Sequence, residues 1–212
     1  MSPDPNRSSV IPGIGDKNCI ARMCKQVINS LQELVTKYKY CADAHSGGNT
    51  MQKKALVIID IQNDITKNYK EIIGNINGAI EWAIQNAIHV VYIRHENLSA
   101  GTRTFKTNSP GAELASDLNI VSENIFTKYK GNALSSEAFV KFIENNEISD
   151  FYIAGADAVA CVKSTCYNLR KAGYGVNVLS DCITSYDQRK IDEMLRYYES
   201  KGCKIISLRD LC

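Results

Sequence analysis

Three residues whose side chains can do acid–base or nucleophilic chemistry each come shortly after a short apolar run. Asp60 follows Ala-Leu-Val-Ile-Ile, Lys128 follows Asn-Ile-Phe-Thr, and Cys161 comes a few residues after Phe-Tyr-Ile-Ala-Gly. A thiol can attack a carbonyl carbon, a carboxylate can carry the thiol proton, and an ammonium can stabilise both anions. Brought together, these groups would form a site for acyl transfer through a cysteine nucleophile.

Each of the three residues also has an ordinary structural interpretation. A free cysteine is most often a small buried residue, and a lysine most often lies on the surface. An aspartate after a strand often caps a helix or a turn, although Asp64 fits that role better than Asp60 does. Cys161 is predicted to begin a helix, where backbone N–H groups and the helix dipole would lower the thiol pKa. The same N–H groups can hold the oxyanion of a tetrahedral intermediate.

The elements that would position these residues are predicted from the alternation of apolar runs and amphipathic stretches. The strands are predicted at residues 55–59, 89–94, 124–127, 150–154, 175–180 and 204–207, and the helices at 71–85, 112–118, 136–145, 162–172 and 191–200. Runs that are apolar on both faces are typical of a mostly parallel sheet, and helices between them give a three-layer α/β/α fold. Ligands bind at the carboxyl ends of such strands, so the three residues are expected to meet there.

The first part of the chain has a different composition from the rest. Residues 1–16 are rich in Pro, Gly, Ser and Asn, residues 19–40 have apolar residues at helical spacing, and residues 45–50 are typical of a linker. We interpret residues 1–50 as an N-terminal arm with an extra helix and residues 51–212 as one α/β domain. The extra helix is expected to pack on this domain; binding a partner or a second subunit is the alternative.

The composition of the chain limits which partners and cofactors are expected. The net charge of +2 comes from scattered Lys and Arg without a basic cluster, so no nucleic-acid partner is expected. The polar beginning and the lack of a long apolar run predict a cytoplasmic protein without a membrane segment. The eight cysteines are therefore expected to be free thiols rather than disulfides. Their spacing fits no zinc motif, and we expect no metal and no cofactor.

Taken together, the three segments resemble the signatures of the isochorismatase-like, or cysteine hydrolase, superfamily. Ala-Leu-Val-Ile-Ile-Asp-Ile-Gln-Asn-Asp resembles the first signature, Lys128-Tyr-Lys-Gly-Asn-Ala-Leu the lysine segment, and Gly155-Ala-Asp-Ala-Val-Ala-Cys161 the nucleophile loop. The resemblance covers residues 53 to 208. It implies a hydrolase of small amide-like substrates that works through a thioester.

The resemblance also assigns roles to individual residues. Cys161 would be the nucleophile, Asp60 its base and later proton donor, and Lys128 their electrostatic support. A cis peptide bond would join Ala156 to Asp157 and turn the backbone N–H groups of Asp157 and Cys161 towards the substrate oxygen.

The sequence departs from the family pattern around the expected substrate pocket, which Ile65, Tyr129 and Leu134 would line. Ile65 and Leu134 stand where many relatives carry an aromatic residue, and Ala158 and Val159 replace a frequent Thr-Asp pair. These changes predict an altered pocket wall. The resemblance therefore does not indicate which particular substrate of the family this chain would take.

The metal-binding histidines of nicotinamidases are also missing, because residues 94–98 offer only His95. We interpret His95 as a structural histidine bonded to neighbouring backbone rather than as a catalytic one.

Two other functions remain open at this stage. A vinyl-ether hydrolase of the isochorismatase type is disfavoured by Cys161, since those enzymes do not rely on a cysteine nucleophile. A non-catalytic module that keeps the fold and acts in protein–protein interaction would explain the altered nucleophile loop. In either case a homo-oligomer, a dimer or a tetramer, is expected from the resemblance.

Overall fold

The structure is a computed structural model that describes residues 53–211 of the chain. The predicted N-terminal arm and the helix at residues 19–40 lie outside the described residues.

Six strands form one sheet with the order β3-β2-β1-β4-β5-β6. Every neighbouring pair is parallel, so the predicted sheet is confirmed and is wholly rather than mostly parallel. The strands are β1 (Lys53–Ile59), β2 (His89–His95), β3 (Ile125–Lys128), β4 (Ile148–Gly155), β5 (Gly175–Ile183) and β6 (Lys204–Ile206).

Helices cover both faces of the sheet, which confirms the three-layer architecture. They are α1 (Asn63–Tyr69), α2 (Ile73–Gln85), α3 (Glu137–Asn145), α4 (Cys161–Lys171) and α5 (Ile191–Ser200). Side chains alternate between the two faces of a strand, and the central strand β1 feeds both apolar cores. Val57 and Ile59 enter the core that includes residues of α3, α4 and α5, whereas Leu56 and Ile58 enter the core that includes residues of α2.

The predicted helix at residues 112–118 is wrong. Only a 3₁₀ turn, Pro110–Ala112, forms there; Glu113 is extended, and a turn follows at residues 116–117. Leu114 pairs with Gln62 as an antiparallel bridge, and the N–H of Ala115 donates to the carbonyl oxygen of Ile61. The apolar residues of this segment are compatible with a helix. Its backbone instead forms hydrogen bonds with the loop that follows β1.

The start of the predicted helix at residues 71–85 is also corrected. The chain first forms α1, then a 3₁₀ turn at Lys70–Ile72, and α2 begins only at Ile73. Helix α1 contains two Asn, a Thr and an Ile, which have modest helix propensity, so its sequence gives little local signal. Tertiary contacts support it: the Asn63 side chain donates to the carbonyl oxygen of Pro110 at 2.9 Å.

Candidate active site

The carboxyl ends of β1 and β3 and the start of α4 bring Asp60, Lys128 and Cys161 together. The Nζ atom of Lys128 lies 2.8 Å from Oδ2 of Asp60 and 3.4 Å from Sγ of Cys161. The side chain of Lys128 is fully buried and that of Asp60 nearly so. The three residues predicted from strand ends therefore form one contiguous group in the structure.

The backbone of Asp60 is shaped for this position. Its N–H donates to the carbonyl oxygen of Ile93 on β2 at 2.9 Å, which continues the parallel ladder by one residue. Its φ angle is 54°, in the left-handed region that few residues other than glycine and short polar residues adopt. The chain thus turns at Asp60, directly after the end of β1, and the carboxylate reaches Lys128 at the end of β3.

A fourth side chain, His95, completes the surroundings of Lys128. Nδ1 of His95 lies 3.1 Å from Nζ of Lys128. The contact follows from the register of the sheet, because His95 and Lys128 are direct partners on β2 and β3. Our interpretation of His95 as a histidine bonded only to neighbouring backbone is therefore incomplete: its ring also contacts the predicted catalytic lysine.

Burial dominates the electrostatics of the group. It raises the pKa of Asp60 above its ordinary value, and the Lys128 ammonium opposes the shift. Burial and then the Asp60 carboxylate raise the pKa of Cys161 to about 12, again against Lys128. The expectation that the thiol pKa is lowered is thus wrong, because desolvation and the neighbouring Asp60 carboxylate outweigh the Lys128 ammonium. Cys161 rests as a thiol and needs a base.

Asp157 organises the loop that leads to Cys161. The peptide bond between Ala156 and Asp157 is cis. The Asp157 carboxylate accepts hydrogen bonds from the Tyr69 hydroxyl at 3.0 Å, the Tyr186 N–H at 2.8 Å and the Val159 N–H at 2.8 Å. One side chain therefore connects α1, the segment after β5 and the nucleophile loop itself.

Two backbone N–H groups of this loop have no acceptor among the residues that the structure describes. Among the residues that the structure describes, the N–H groups of Asp157 and Cys161 donate no backbone hydrogen bond, whereas those of Ala158, Ala160 and Val162 do. The first N–H groups of a helix commonly remain available for an anion. These are the two donors that the family resemblance assigns to an oxyanion.

The substitutions that the sequence showed in this loop are accommodated by packing. Ala158 is fully buried in the core. Both its backbone N–H and its backbone carbonyl form hydrogen bonds. Its N–H donates to the carbonyl oxygen of Thr184, and its own carbonyl accepts from the buried Tyr198 hydroxyl. Val159 packs at the edge of the same core. The backbone of the loop is therefore held without the side-chain bonds that Thr-Asp would provide.

The three residues predicted to line a pocket differ in exposure. Ile65 and Leu134 are half-buried and pack against different cores, whereas Tyr129 is 56% exposed. Their role as pocket walls stays a prediction.

Gln62 is a positioning residue that sequence reasoning missed. Its amide is fully buried and donates to the carbonyl oxygens of His95 at 2.8 Å and Ala112 at 2.7 Å. Its own oxygen accepts the His95 N–H at 2.8 Å. The only sequence signal was a glutamine two residues after Asp60, where the apolar run of β1 gives way to polar residues.

Within residues 53–211, no three His, Cys, Asp or Glu side chains cluster closely enough to hold a metal ion. In the same part of the chain, no helix is long and apolar enough to cross a membrane.

Comparison with known proteins places this geometry in context. The isochorismatase domain model matches residues 54–210. No curated protein sequence matches the chain.

Three solved structures are similar in fold and are nearly fully covered by this chain. An isochorismatase-like hydrolase from Alkaliphilus metalliredigens has a TM-score of 0.67 and 19% identity, over 74% of this chain and 95% of that one. Pyrazinamidase of Pyrococcus horikoshii, solved with zinc, has a TM-score of 0.65 and 23% identity, over 73% and 99%. N-carbamoylsarcosine amidase from Thermoplasma acidophilum has a TM-score of 0.65 and 18% identity, over 74% and 96%.

Proposed function

The chain belongs to the isochorismatase family of hydrolases, and from this premise we propose that it is a cysteine-dependent amidohydrolase. It would cleave the C–N bond of a small amide-like substrate through a thioester. One observation carries the proposal: the buried Lys128 ammonium contacts both the Asp60 carboxylate at 2.8 Å and the Cys161 sulfur at 3.4 Å.

Formation of the acyl-enzyme begins with a proton transfer. The raised pKa of Asp60 makes its carboxylate a stronger base than an ordinary aspartate. Oδ1 of Asp60 is buried without a partner among the described side chains, so it is available to take the thiol proton. Sγ of Cys161 then forms a bond to the carbonyl carbon, and the carbonyl π electrons move onto oxygen. Lys128 stabilises the charge as it passes between carboxylate and sulfur.

The tetrahedral intermediate then collapses. Its oxyanion would be held by the N–H groups of Asp157 and Cys161. As the C–N bond breaks, the leaving nitrogen takes the proton from Asp60, and ammonia or an amine departs. What remains is a thioester between the substrate acyl group and Cys161.

Hydrolysis of the thioester repeats the sequence with water. Asp60 takes a proton from water as the hydroxyl adds to the thioester carbon. Collapse of the second intermediate breaks the C–S bond, and Sγ recovers its proton from Asp60. The products are a carboxylic acid and the resting thiol, and the enzyme returns to its initial state.

The names of two structural relatives agree with this substrate class. A pyrazinamidase and an N-carbamoylsarcosine amidase both act on small molecules with a C–N bond next to a carbonyl. The pyrazinamidase was solved with zinc. Among the described residues of this chain, no three His, Cys, Asp or Glu side chains cluster closely enough to hold a metal ion, and the proposed steps use only its own side chains. We also propose a cytoplasmic homo-oligomer, in keeping with the sequence expectation.

The test is ammonia release from a panel of small primary amides, ureido compounds and carbamoyl compounds. Cys161→Ala is expected to abolish release, and intact-mass analysis of the wild-type protein is expected to show one acyl adduct that maps to Cys161. Cys203→Ala, at a buried cysteine of the α5 side of the core, serves as the matched control and should retain activity.

Two results would contradict the proposal. One is ammonia release that persists in Cys161→Ala. The other is a panel that yields neither ammonia nor an adduct, which would favour a non-catalytic module.

A further inference from the structure

The contact between His95 and Lys128 is not required by the three-residue mechanism. Lys128 has three ammonium protons, and the structure gives them three acceptors: Asp60 Oδ2 at 2.8 Å, His95 Nδ1 at 3.1 Å and Cys161 Sγ at 3.4 Å. The ammonium of a lysine is carried on a flexible stem of four carbons, so the side chain alone does not fix its position. The histidine nitrogen therefore supplies the third point that fixes where the ammonium lies.

His95 is itself held rigidly. The Gln62 side-chain amide forms two hydrogen bonds with the backbone of His95. It accepts the His95 N–H and donates to the His95 carbonyl oxygen, at 2.8 Å each. The ring packs edge-on against Phe105, with ring centroids 5.7 Å apart. A residue clamped through both its backbone and its ring can define the position of a flexible neighbour.

The bonding pattern defines the tautomer of His95. An ammonium only donates hydrogen bonds, so Nδ1 must carry a lone pair and no proton. Since Nδ1 accepts from Lys128, His95 is a neutral imidazole whose one ring proton is on Nε2.

We propose that neutral His95 is a positioning residue of this site, which holds the Lys128 ammonium between Asp60 and Cys161 and releases it when protonated. A proton on Nδ1 would remove the acceptor and set a second positive charge against Lys128. The ammonium would then turn away from the sulfur. The inference deepens the proposed function, although the contact on which it rests does not depend on that function.

The charges around His95 keep it neutral near physiological pH. Two charged groups face the ring: Lys128 from β3 opposes its protonation, and Asp60 from the end of β1 favours it. The Phe105 ring that packs against His95 is uncharged. Burial, followed by Lys128, lowers the pKa of His95 below its ordinary value of 6.5, so the positioned state persists into mildly acidic solution.

Two substitutions separate positioning from mere packing. In His95→Asn, the amide oxygen can take the place of Nδ1 as an acceptor but cannot titrate in this range. In His95→Leu, the volume is largely kept but no acceptor remains. His89→Asn is the matched control, because His89 is a half-buried histidine at the other end of the same strand.

The first readout is the alkylation rate of Cys161 by iodoacetamide from pH 5 to 9, mapped by mass spectrometry. At pH 7.5, His95→Leu is expected to react about tenfold more slowly than wild type, the effect of one pKa unit when a neighbouring cation is lost. His95→Asn should stay within about twofold of wild type, and so should His89→Asn. Below the pKa of His95, protonation of the ring should slow the wild-type reaction further. The wild-type rate should then fall by about ten times more per pH unit than the rate of His95→Asn.

The second readout is ¹⁵N NMR of the histidine rings in the wild-type protein, which needs no variant to fold except for assignment. The chain has only three histidines, and His95 should show a protonated Nε2 and a bare Nδ1. Equal alkylation rates for His95→Leu and His95→Asn, identical pH profiles for wild type and His95→Asn, or an Nδ1–H tautomer would each overturn the inference. Neither readout uses a substrate, so a protein that hydrolyses no amide would refute the proposed function alone.

Discussion

Lys128 and Asp60 form an ion pair in which both side chains are buried away from solvent. Their Nζ and Oδ2 atoms are 2.8 Å apart, and their side chains are 0% and 2% exposed. Removing two charges from water costs several kcal/mol per ion, and their attraction offsets that cost only while both are present. Such a pair does little for net stability, but it makes each partner depend on the other, which is how an active site can keep a buried base.

Lys128→Met should therefore destabilise the fold by about 3–5 kcal/mol at pH 8, because it leaves Asp60 buried without its cation. The pKa of Asp60 is already raised by burial and rises further without Lys128. A group with a raised pKa contributes stability at low pH that is lost as pH rises. The loss measured by urea unfolding should accordingly be smaller at pH 5 than at pH 8.

The double variant Lys128→Met with Asp60→Asn is the control for this prediction. It should recover a large part of the lost free energy of unfolding, because neither buried charge remains. Strictly additive losses, or a Lys128→Met effect that is the same at both pH values, would show that the pair is not coupled as the structure indicates.

A second prediction concerns the thiol of Cys161, whose pKa burial raises from 9.0 to about 12. Between these values the unfolded chain has released the Cys161 proton and the folded chain still holds it, so stability falls as pH rises. Relative to Cys161→Ala, the wild-type free energy of unfolding should fall by up to about 1.4 kcal/mol per pH unit above pH 9. Urea titrations of both proteins under reducing conditions at pH 8, 9 and 10 measure the difference. Parallel curves would indicate an ordinary, solvated thiol.

The sequence was sufficient to predict the sheet because its strands are dictated by local apolar runs. Strand β1 is buried on both faces, and its apolar residues Ala55 to Ile59 are each 0% exposed, a pattern that only a central strand of a covered sheet satisfies. The three strand-end residues then followed from the shared direction of parallel strands. These inferences required no knowledge of which strands are neighbours.

The features that were missed depend on neighbour relations. The contact of His95 with Lys128 exists because β2 and β3 are adjacent and pair these residues directly, and no local pattern states that register. The role of Gln62 depends on a segment 50 residues further along the chain. The raised pKa of Cys161 depends on how deeply three strand ends bury one another, whereas the helix dipole alone pointed in the opposite direction.

A third prediction tests how β4 enters the nucleophile loop. Gly155 has a φ of 118°, and a Cβ atom there would collide with the backbone oxygen of Ile59 on β1. Gly155→Ala should cost about 1–3 kcal/mol for the backbone conformation, and more for the collision. Thermal and urea unfolding measure the loss. Gly74→Ala is the matched control: Gly74 lies in α2 with open space where a Cβ atom would stand, and the change should stabilise by about 0.5–1 kcal/mol.

The last prediction concerns the bond that fastens Asp157 to α1. The Tyr69 hydroxyl donates to Oδ2 of Asp157 at 3.0 Å, and burial and the carboxylate both raise the pKa of Tyr69, so it remains a donor well into alkaline solution. Tyr69→Phe removes this donor with little change of volume. It should cost about 1.5–3 kcal/mol, the range for a hydrogen bond to a charged group.

The same change should loosen the nucleophile loop in particular. Oδ1 of Asp157 accepts the Val159 N–H at 2.8 Å, so a less constrained carboxylate should let the Val159 amide exchange its hydrogen faster. Tyr92→Phe is the matched control, because the Tyr92 hydroxyl likewise donates a hydrogen bond, to the Asn119 carbonyl oxygen, and accepts one from the Val121 N–H, away from the nucleophile loop. It should cost a similar amount of stability without faster exchange at Val159. If both variants increase that exchange equally, the effect is global, and Tyr69 has no specific part in holding the loop over which the substrate carbonyl would lie.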